Sequence, residues 1–169
     1  MKQYFEMLVF AVVVILSLAS CADARYPIDN TPSVKVDARL MGGWKVKEKK
    51  GNKMVSTDDM VYMINKHNDF EYMLVTKTGR KKEAETTTAF LSDVNKVQFL
   101  NVYIKGDTAG YSFFRILDIN EAGNKLTIAG IADTTMRSLT SAEQVRERIT
   151  KNLNNPAFYR DTAYLFKTK

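Results

Sequence analysis

Between residues 44 and 132 the chain repeats one pattern: a short apolar, aromatic and β-branched segment followed by a polar turn. In the first segment Trp44 and Val46 alternate with lysines, which is typical of a half-buried strand. Segments of this kind at near-regular spacing predict an antiparallel meander. The predicted strands are 44–49, 60–64, 70–76, 85–91, 97–104, 111–119 and 125–132.

Near the C-terminus the pattern becomes helical. Thr140 supplies a hydroxyl and Glu143 follows three residues later, which is a capping-box sequence. Asn154, Asn155 and Pro156 end this predicted helix, and a last short strand follows at 163–167. We therefore predict a mainly β fold, in which the meander closes into a small barrel with one helix before a final strand. Closure removes the sheet edges that invite aggregation.

The first 20 residues are of a different kind. They begin with charged residues, continue with an unbroken apolar run at 8–16, and end in small residues. These are the three parts of a secretory signal peptide. The stretch from Met7 to Ala19 is shorter than the roughly 20 residues that a helix needs to cross a bilayer. A permanent transmembrane anchor is therefore not predicted.

Leu18-Ala19-Ser20-Cys21 resembles the lipobox of bacterial lipoproteins, an aliphatic residue and two small residues before a cysteine. The resemblance implies that the Cys21 thiol carries diacylglycerol, that the peptide is cut before Cys21, and that the new amine is acylated. The protein would then be anchored to a membrane. An ordinary secretory signal with a chance cysteine is the alternative. Because Ala22 rather than an aspartate follows Cys21, the resemblance favours the outer membrane of a Gram-negative bacterium.

These features divide the chain into a signal peptide at 1–20, a tether at 21–37 and a barrel domain at 38–169. The tether is predicted because its prolines, Asn30 and Ser33 interrupt any apolar period. Removal of the signal takes away Lys2 and Glu6 and leaves the net charge at +6. With the single cysteine lipidated, the domain has no disulfide and no cysteine metal site.

The Gly42-x-Trp44 motif, the meander and the late helix before a final strand resemble lipocalin-type barrels. This resemblance implies that Trp44 plugs one end of the barrel and that an arginine from near the chain end packs over it. Arg160 is the candidate for that arginine. A barrel of about eight strands encloses room for side chains or for one small ligand.

Arg115 is the residue that most suggests a ligand. Strict alternation places it on one strand face with Tyr111 and Phe113, and an unpaired buried guanidinium is costly. Arg115 therefore either points outward from a partly apolar surface or faces a cavity, where it meets an acid or an anionic ligand. A structural pair with an acid such as Glu71 or Glu85 is the favoured alternative to the ligand role, in which Tyr111 and Phe113 are further candidate ligand-binding residues.

Other chemistry is weakly indicated. His67, the only histidine, is expected to be a solvated turn residue, although a His–Asp pair with Asp69 would allow acid–base chemistry. A lone histidine predicts no metal site, and no tuned nucleophile indicates an enzyme or a cofactor. The two basic clusters predict solvated strand faces and turns, with attraction to anionic lipid as a minor use and no nucleic-acid partner. They are Lys45, Lys47, Lys49, Lys50 and Lys53, and Arg80, Lys81 and Lys82.

The sequence thus predicts a non-enzymatic envelope lipoprotein that binds a small apolar or amphiphilic ligand in its barrel. The alternative is a structural or interaction lipoprotein with a solid barrel core and a protein partner. An open barrel with Arg115 inside favours the first hypothesis. An interior filled by apolar side chains favours the second.

Overall fold

A computed structural model gives the structure of residues 24–50, 53–56, 60–78, 85–106 and 109–168. Its helix α1 spans Ala142–Asn152, and short 3-10 helices span Ala38–Leu40, Thr134–Ser138 and Pro156–Phe158. The strands are β1 (Gly42–Lys50), β2 (Lys53–Ser56), β3 (Met60–Lys66), β4 (Glu71–Thr78), β5 (Glu85–Val94), β6 (Val97–Ile104), β7 (Gly110–Ile119), β8 (Lys125–Ile131) and β9 (Tyr159–Lys167).

Adjacent strands are antiparallel, and pairing of β1 with β9 closes the sheet. Lys47 pairs with Ser56 of β2 on one side and with Tyr164 of β9 on the other. β3 pairs with the first residues of β1, on the same edge as β2 and across β1 from β9. β2 and β3 therefore share one edge of β1 and together count as one of the eight strand positions of the barrel. The predicted mainly β, eight-stranded closed barrel with a helix before the final strand is confirmed.

The helix begins one residue later than the predicted capping box. Ser141, not Thr140, is the N-cap, and its hydroxyl accepts a hydrogen bond from the backbone N–H of Gln144 at 3.3 Å. The side-chain oxygen of Gln144 in turn accepts from the backbone N–H of Thr140 at 2.9 Å. Gln144 thus takes the place of Glu143, but it binds the N–H of Thr140, the residue before the N-cap, rather than that of the N-cap itself.

The barrel has two ends that differ in burial. At the first, here called the Trp44 end, β1 begins and the β3–β4, β5–β6 and β7–β8 turns lie together. At the second, called the Tyr111 end, β6 ends and β7 begins, next to the last residues of β4 and β8.

The N-terminal segment differs from the predicted tether. From Ala24 onward it lies against the barrel, with Ala24 and Ile28 each only 1% exposed. The Ile28 N–H donates to Oδ1 of Asn101 at 2.9 Å, and the Val36 N–H donates to the Asp69 carbonyl at 3.0 Å. The segment is held by single buried apolar residues and by hydrogen bonds of its backbone. Such contacts produce no periodic sequence pattern, so the sequence predicted a tether. Residues 21–23 lie outside the described residues.

The core has two parts, separated by the sheet. The inner part fills the barrel, and the outer part lies between the sheet, α1 and the N-terminal segment. The buried members of the inner part are Leu40, Trp44, Ile64, Tyr72, Ala89, Leu91, Leu100, Val102, Leu126 and Leu165. Those of the outer part are Ala24, Ile28, Val94, Phe99, Phe113, Ile131, Met136, Val145, Ile149, Leu153 and Phe158.

Candidate functional site

The three candidate ligand-binding residues share one face of β7, as alternation predicts, but that face is the outer one. Phe113 is 2% exposed and packs in the outer core beneath α1. The Tyr111 ring makes an edge contact with the Tyr103 ring, with centroids 5.4 Å apart, and its backbone pairs with Ala24. Arg115 also lies on the outer wall. The arrangement that the ligand hypothesis requires, with these side chains around an interior cavity, is not found.

Arg115 instead binds the C-terminal end of α1. Its Nη1 donates to the carbonyl oxygen of Leu153, the helix C-cap, at 2.8 Å, and its guanidinium lies 5.0 Å from the Tyr159 ring centre. A cation is favourable there because the last helical carbonyls carry partial negative charge. Its buried Nε has no hydrogen-bond partner among the described residues. The partner of Arg115 is thus a carbonyl, not Glu71 or Glu85.

Arg115 also borders a shallow depression of about 400 Å³ on the outer wall, next to the β5–β6 turn. Its lining is mixed, since Asp93 and Lys96 lie beside Val97 and Ile116. The Asp93 carboxylate already accepts from the backbone N–H of Lys96 at 2.7 Å. Two polar groups of this depression, the Asp93 carboxylate and the Arg115 guanidinium, therefore already form hydrogen bonds within the protein.

The Trp44 end is closed by buried aromatic side chains. Trp44 is 0% exposed, and its indole N–H donates to the Leu40 carbonyl at 2.7 Å. The Tyr72 hydroxyl accepts from the backbone N–H of Asp37 at 2.6 Å. Burial raises the pKa of Tyr72 to about 12. Both polar atoms of this plug are thus hydrogen-bonded, as buried polar groups must be.

The cation over Trp44 is Lys167 rather than Arg160. The Lys167 ammonium lies 5.3 Å from the indole ring centre and donates to the Arg39 carbonyl at 3.2 Å. Arg160 lies towards the Tyr111 end, where its Nε donates to the Ile131 carbonyl at 3.2 Å. The expected contact between Arg160 and Trp44 is therefore corrected. Arg160 is the second residue of β9, at the end of the barrel away from Trp44. Lys167 is the last residue of β9 and pairs with Trp44 at the start of β1.

Burial of the barrel interior falls towards the Tyr111 end. Near the Trp44 end Trp44, Tyr72 and Ile64 are at most 5% exposed, although Met41 and Ile119 there are half-buried. Towards the opposite end most interior side chains are half-buried. All belong to one inner hydrophobic cluster. The half-buried members towards the Tyr111 end include Val46, Tyr62, Leu74, Ile104 and Phe114.

The outer wall opposite α1 combines lysines with aromatic rings. Phe166 lies in register between Lys45 of β1 and Lys125 of β8, and the Lys47 ammonium is 4.6 Å from its ring centre. Tyr164 is the next outward residue of β9 and pairs with Lys47. We call Lys45, Lys47, Lys125, Tyr164 and Phe166 the Phe166 face. Its side chains are half-buried, as expected where the stems of lysines lie along apolar surface.

His67 is an exposed residue of the β3–β4 turn. The carboxylate of Asp69, its predicted acid–base partner, is bound by the Lys66 ammonium at 2.6 Å, and this hydrogen bond lowers the pKa of Asp69. Among the described residues no group of three or more His, Cys, Asp or Glu side chains is placed to hold a metal. Cys21 and the side chains of Lys49, Lys50, Lys53 and Arg80–Lys82 lie outside the described part of the chain.

Within the described ranges, no helix has the length and apolar character needed to span a bilayer. No family model, curated protein or solved structure matches this chain.

Proposed function

We propose that this chain is a non-enzymatic lipoprotein of the bacterial cell envelope, anchored through lipid on Cys21 and located at the outer membrane. Its barrel is a packed scaffold that presents an outer surface to another envelope protein. The lipobox resemblance at 18–21 supports the anchor. Two or more acyl chains hold a protein stably on a membrane, whereas one holds it marginally.

The observation that carries the scaffold role is the filling of the barrel. The inward side chains of the strands form one hydrophobic cluster, and Trp44 and Tyr72 close one end. The one arginine proposed to meet an anionic ligand, Arg115, binds the end of α1 outside the barrel. The inward-facing positions are mostly apolar, and the hydroxyl of Thr87, one of the polar side chains there, already donates to the Tyr103 carbonyl. Binding sites, in contrast, hold a few placed polar groups that orient the ligand.

The Phe166 face is the surface we assign to the partner. Aromatic residues are enriched in protein interfaces because they bury large area with few rotatable bonds. The surrounding lysines favour a partner that presents carboxylates, since complementary charge guides association. Asp118, paired with Thr127 of β8, is an acid at the border of this face.

The anchor is tested by Cys21→Ala, with Ala22→Ser as the matched control. The bacterium is grown with radiolabelled palmitate and its membranes are separated from soluble protein. We expect Cys21→Ala to lose the label and leave the membrane fraction, while Ala22→Ser behaves as wild type. A Cys21→Ala protein that keeps its label and its membrane fraction contradicts the anchor.

The partner surface is tested by photo-crosslinking in living cells. A photoreactive phenylalanine replaces Tyr164 in one protein and exposed Phe70, at the Trp44 end, in another. We expect a discrete crosslinked envelope protein at position 164 and none at position 70. The same product at both positions, or none at either, contradicts the assignment of the Phe166 face.

The second candidate function is a carrier of a small apolar or amphiphilic molecule. It is favoured by the half-buried interior side chains near the Tyr111 end, which include Tyr62 and Phe114. Native mass spectrometry of the purified lipoprotein separates the two functions. The scaffold predicts the mass of the lipidated chain alone, and an additional lipid that survives detergent exchange supports the carrier.

A further inference from the structure

The place where the chain meets the barrel is fixed by a short β-bridge. The Ala24 N–H donates to the Tyr111 carbonyl at 2.9 Å, and the Tyr111 N–H donates to the Ala24 carbonyl at 2.7 Å. A Cβ at Gly110 would collide with the Ala24 carbonyl oxygen. Only glycine at position 110 therefore lets the N-terminal segment approach this closely.

The following residues hold the segment against the outer wall. Ile28 is buried and bonded to Asn101 of β6, and the Asp29 carboxylate forms an ion pair with Arg146 of α1 at 2.5 Å. Asn101 also donates to Ser92 Oγ at 2.9 Å and is itself buried. Contacts to β6, β7 and α1 thus fix the direction in which the chain leaves the barrel.

That exit lies at the Tyr111 end, opposite the Trp44 plug. Tyr111 pairs with Tyr103, so Ala24 lies where β6 ends and β7 begins. Only three peptide units separate Ala24 from Cys21, and they reach at most about 11 Å. This distance is shorter than the barrel, whose strands of up to 10 residues are about 33 Å long.

We propose that the Tyr111 end rests on the surface of the bilayer that holds the Cys21 lipid, while the Trp44 end points away. This inference rests on the proposed lipid anchor. Because Ala24 is fixed to the barrel and the link to Cys21 is short, the barrel cannot turn its Trp44 end to the membrane. The surface that contacts the Tyr111 end is the layer of anionic lipid headgroups.

The side chains at this end suit such a surface. Arg25 and Lys105 are exposed cations, and Tyr26 is 40% exposed next to the bridge. Cations are attracted to an anionic leaflet, and tyrosine is enriched at membrane interfaces. Glu85 is an exposed acid at the same end.

The test uses two matched alanines of the full-length lipoprotein. Ala109 is exposed at the Tyr111 end, and Ala122 is exposed in the β7–β8 turn at the Trp44 end. Ala109→Cys or Ala122→Cys supplies the only free thiol, since the Cys21 sulfur is bound to lipid. Each thiol carries a fluorophore, and the protein is placed in phosphatidylethanolamine–phosphatidylglycerol vesicles that contain lipids with a headgroup spin label.

We expect the fluorophore at position 109 to be quenched several-fold more than that at position 122. Flotation of the vesicles reports the anchor separately. A protein that floats with equal quenching at both positions overturns the orientation and leaves the anchor intact. A protein that fails to float overturns both.

A variant with a long linker tests whether the short connection from Cys21 to Ala24 sets the orientation of the barrel. About 15 Gly and Ser residues inserted between Asp23 and Ala24 span about 20 Å on average and release the exit from the lipid. Flotation should persist, and the difference in quenching between positions 109 and 122 should fall. A difference that the linker does not change would show that the bridge at Ala24 does not set the orientation, and would overturn the inference.

Discussion

The ammonium of Lys167 lies 5.3 Å from the ring centre of Trp44, across the pairing of β9 with β1 that closes the barrel. The two residues are direct register partners. The buried indole completes the inner core at this end, and the partly exposed lysine covers it. The pair therefore joins the first and last strands at the plugged end.

Trp44→Ala should lower the free energy of unfolding by about 3–5 kcal/mol, because it opens a cavity and removes the bond to Leu40. Urea unfolding followed by circular dichroism measures the change. Leu117→Ala, at a residue 44% exposed, is the control and should change it by less than about 0.5 kcal/mol. Equal changes in the free energy of unfolding in the two variants would contradict the role of Trp44 as the side chain that closes this end of the barrel.

Lys167→Met should lower the free energy of unfolding by about 0.5–1 kcal/mol, since methionine keeps the apolar stem and loses the cation over the ring. Trp44 is the only tryptophan, so its fluorescence emission should also change. Lys35→Met, at an exposed residue, serves as the control. Tryptophan emission identical to wild type in Lys167→Met would argue against the contact.

Arg115→Met should lower the free energy of unfolding by about 1–3 kcal/mol, because the Leu153 carbonyl loses its charged donor and keeps only the Tyr159 hydroxyl at 3.1 Å. Backbone amides in the last turn of α1 should exchange with deuterium faster, as mass spectrometry can show. Arg25→Met, at an exposed residue, is the comparison. Unchanged exchange in α1 would contradict the role of Arg115.

Much of the fold follows from local patterns, and most of the site does not. Alternation around Trp44 and along β7 identifies strands and correctly groups Arg115, Tyr111 and Phe113 on one face. Alternation cannot say which face is inside, because β7 is apolar on both faces and α1 provides a second core. Alternation along β9 could have placed Lys167 on the inward face, near Trp44. The bridge between Ala24 and Tyr111 could not have been predicted in this way, because the two residues are far apart in the sequence.

Asp133→Asn should destabilise the protein at neutral pH by about 1 kcal/mol, because the carboxylate accepts from Arg148 Nε at 2.6 Å and from the Thr135 N–H at 2.9 Å. Burial, the largest single effect, raises the pKa of Asp133, but these bonds and that from the Thr135 hydroxyl lower it overall.

A lowered pKa in the folded state stabilises the protein above the unfolded value of 3.8, and this stabilisation is lost as the pH falls through the folded value. The difference between wild type and Asp133→Asn should therefore shrink below pH 3.8. Urea unfolding across that range measures it, with the exposed pair variant Glu147→Gln as control. A difference that stays constant in acid would contradict the ionised pair.

Asn101→Ala should release the N-terminal segment, because the Ile28 N–H loses its acceptor and Ser92 loses its donor within a buried site. Each unsatisfied buried group costs about 1–3 kcal/mol. Hydrogen exchange of residues 24–30 should become faster, and Asn154→Ala, at an exposed residue, should leave it unchanged. In vesicles the same release should reduce the difference in quenching between positions 109 and 122. Unchanged protection of Ile28 in Asn101→Ala would show that the remaining contacts alone hold the segment.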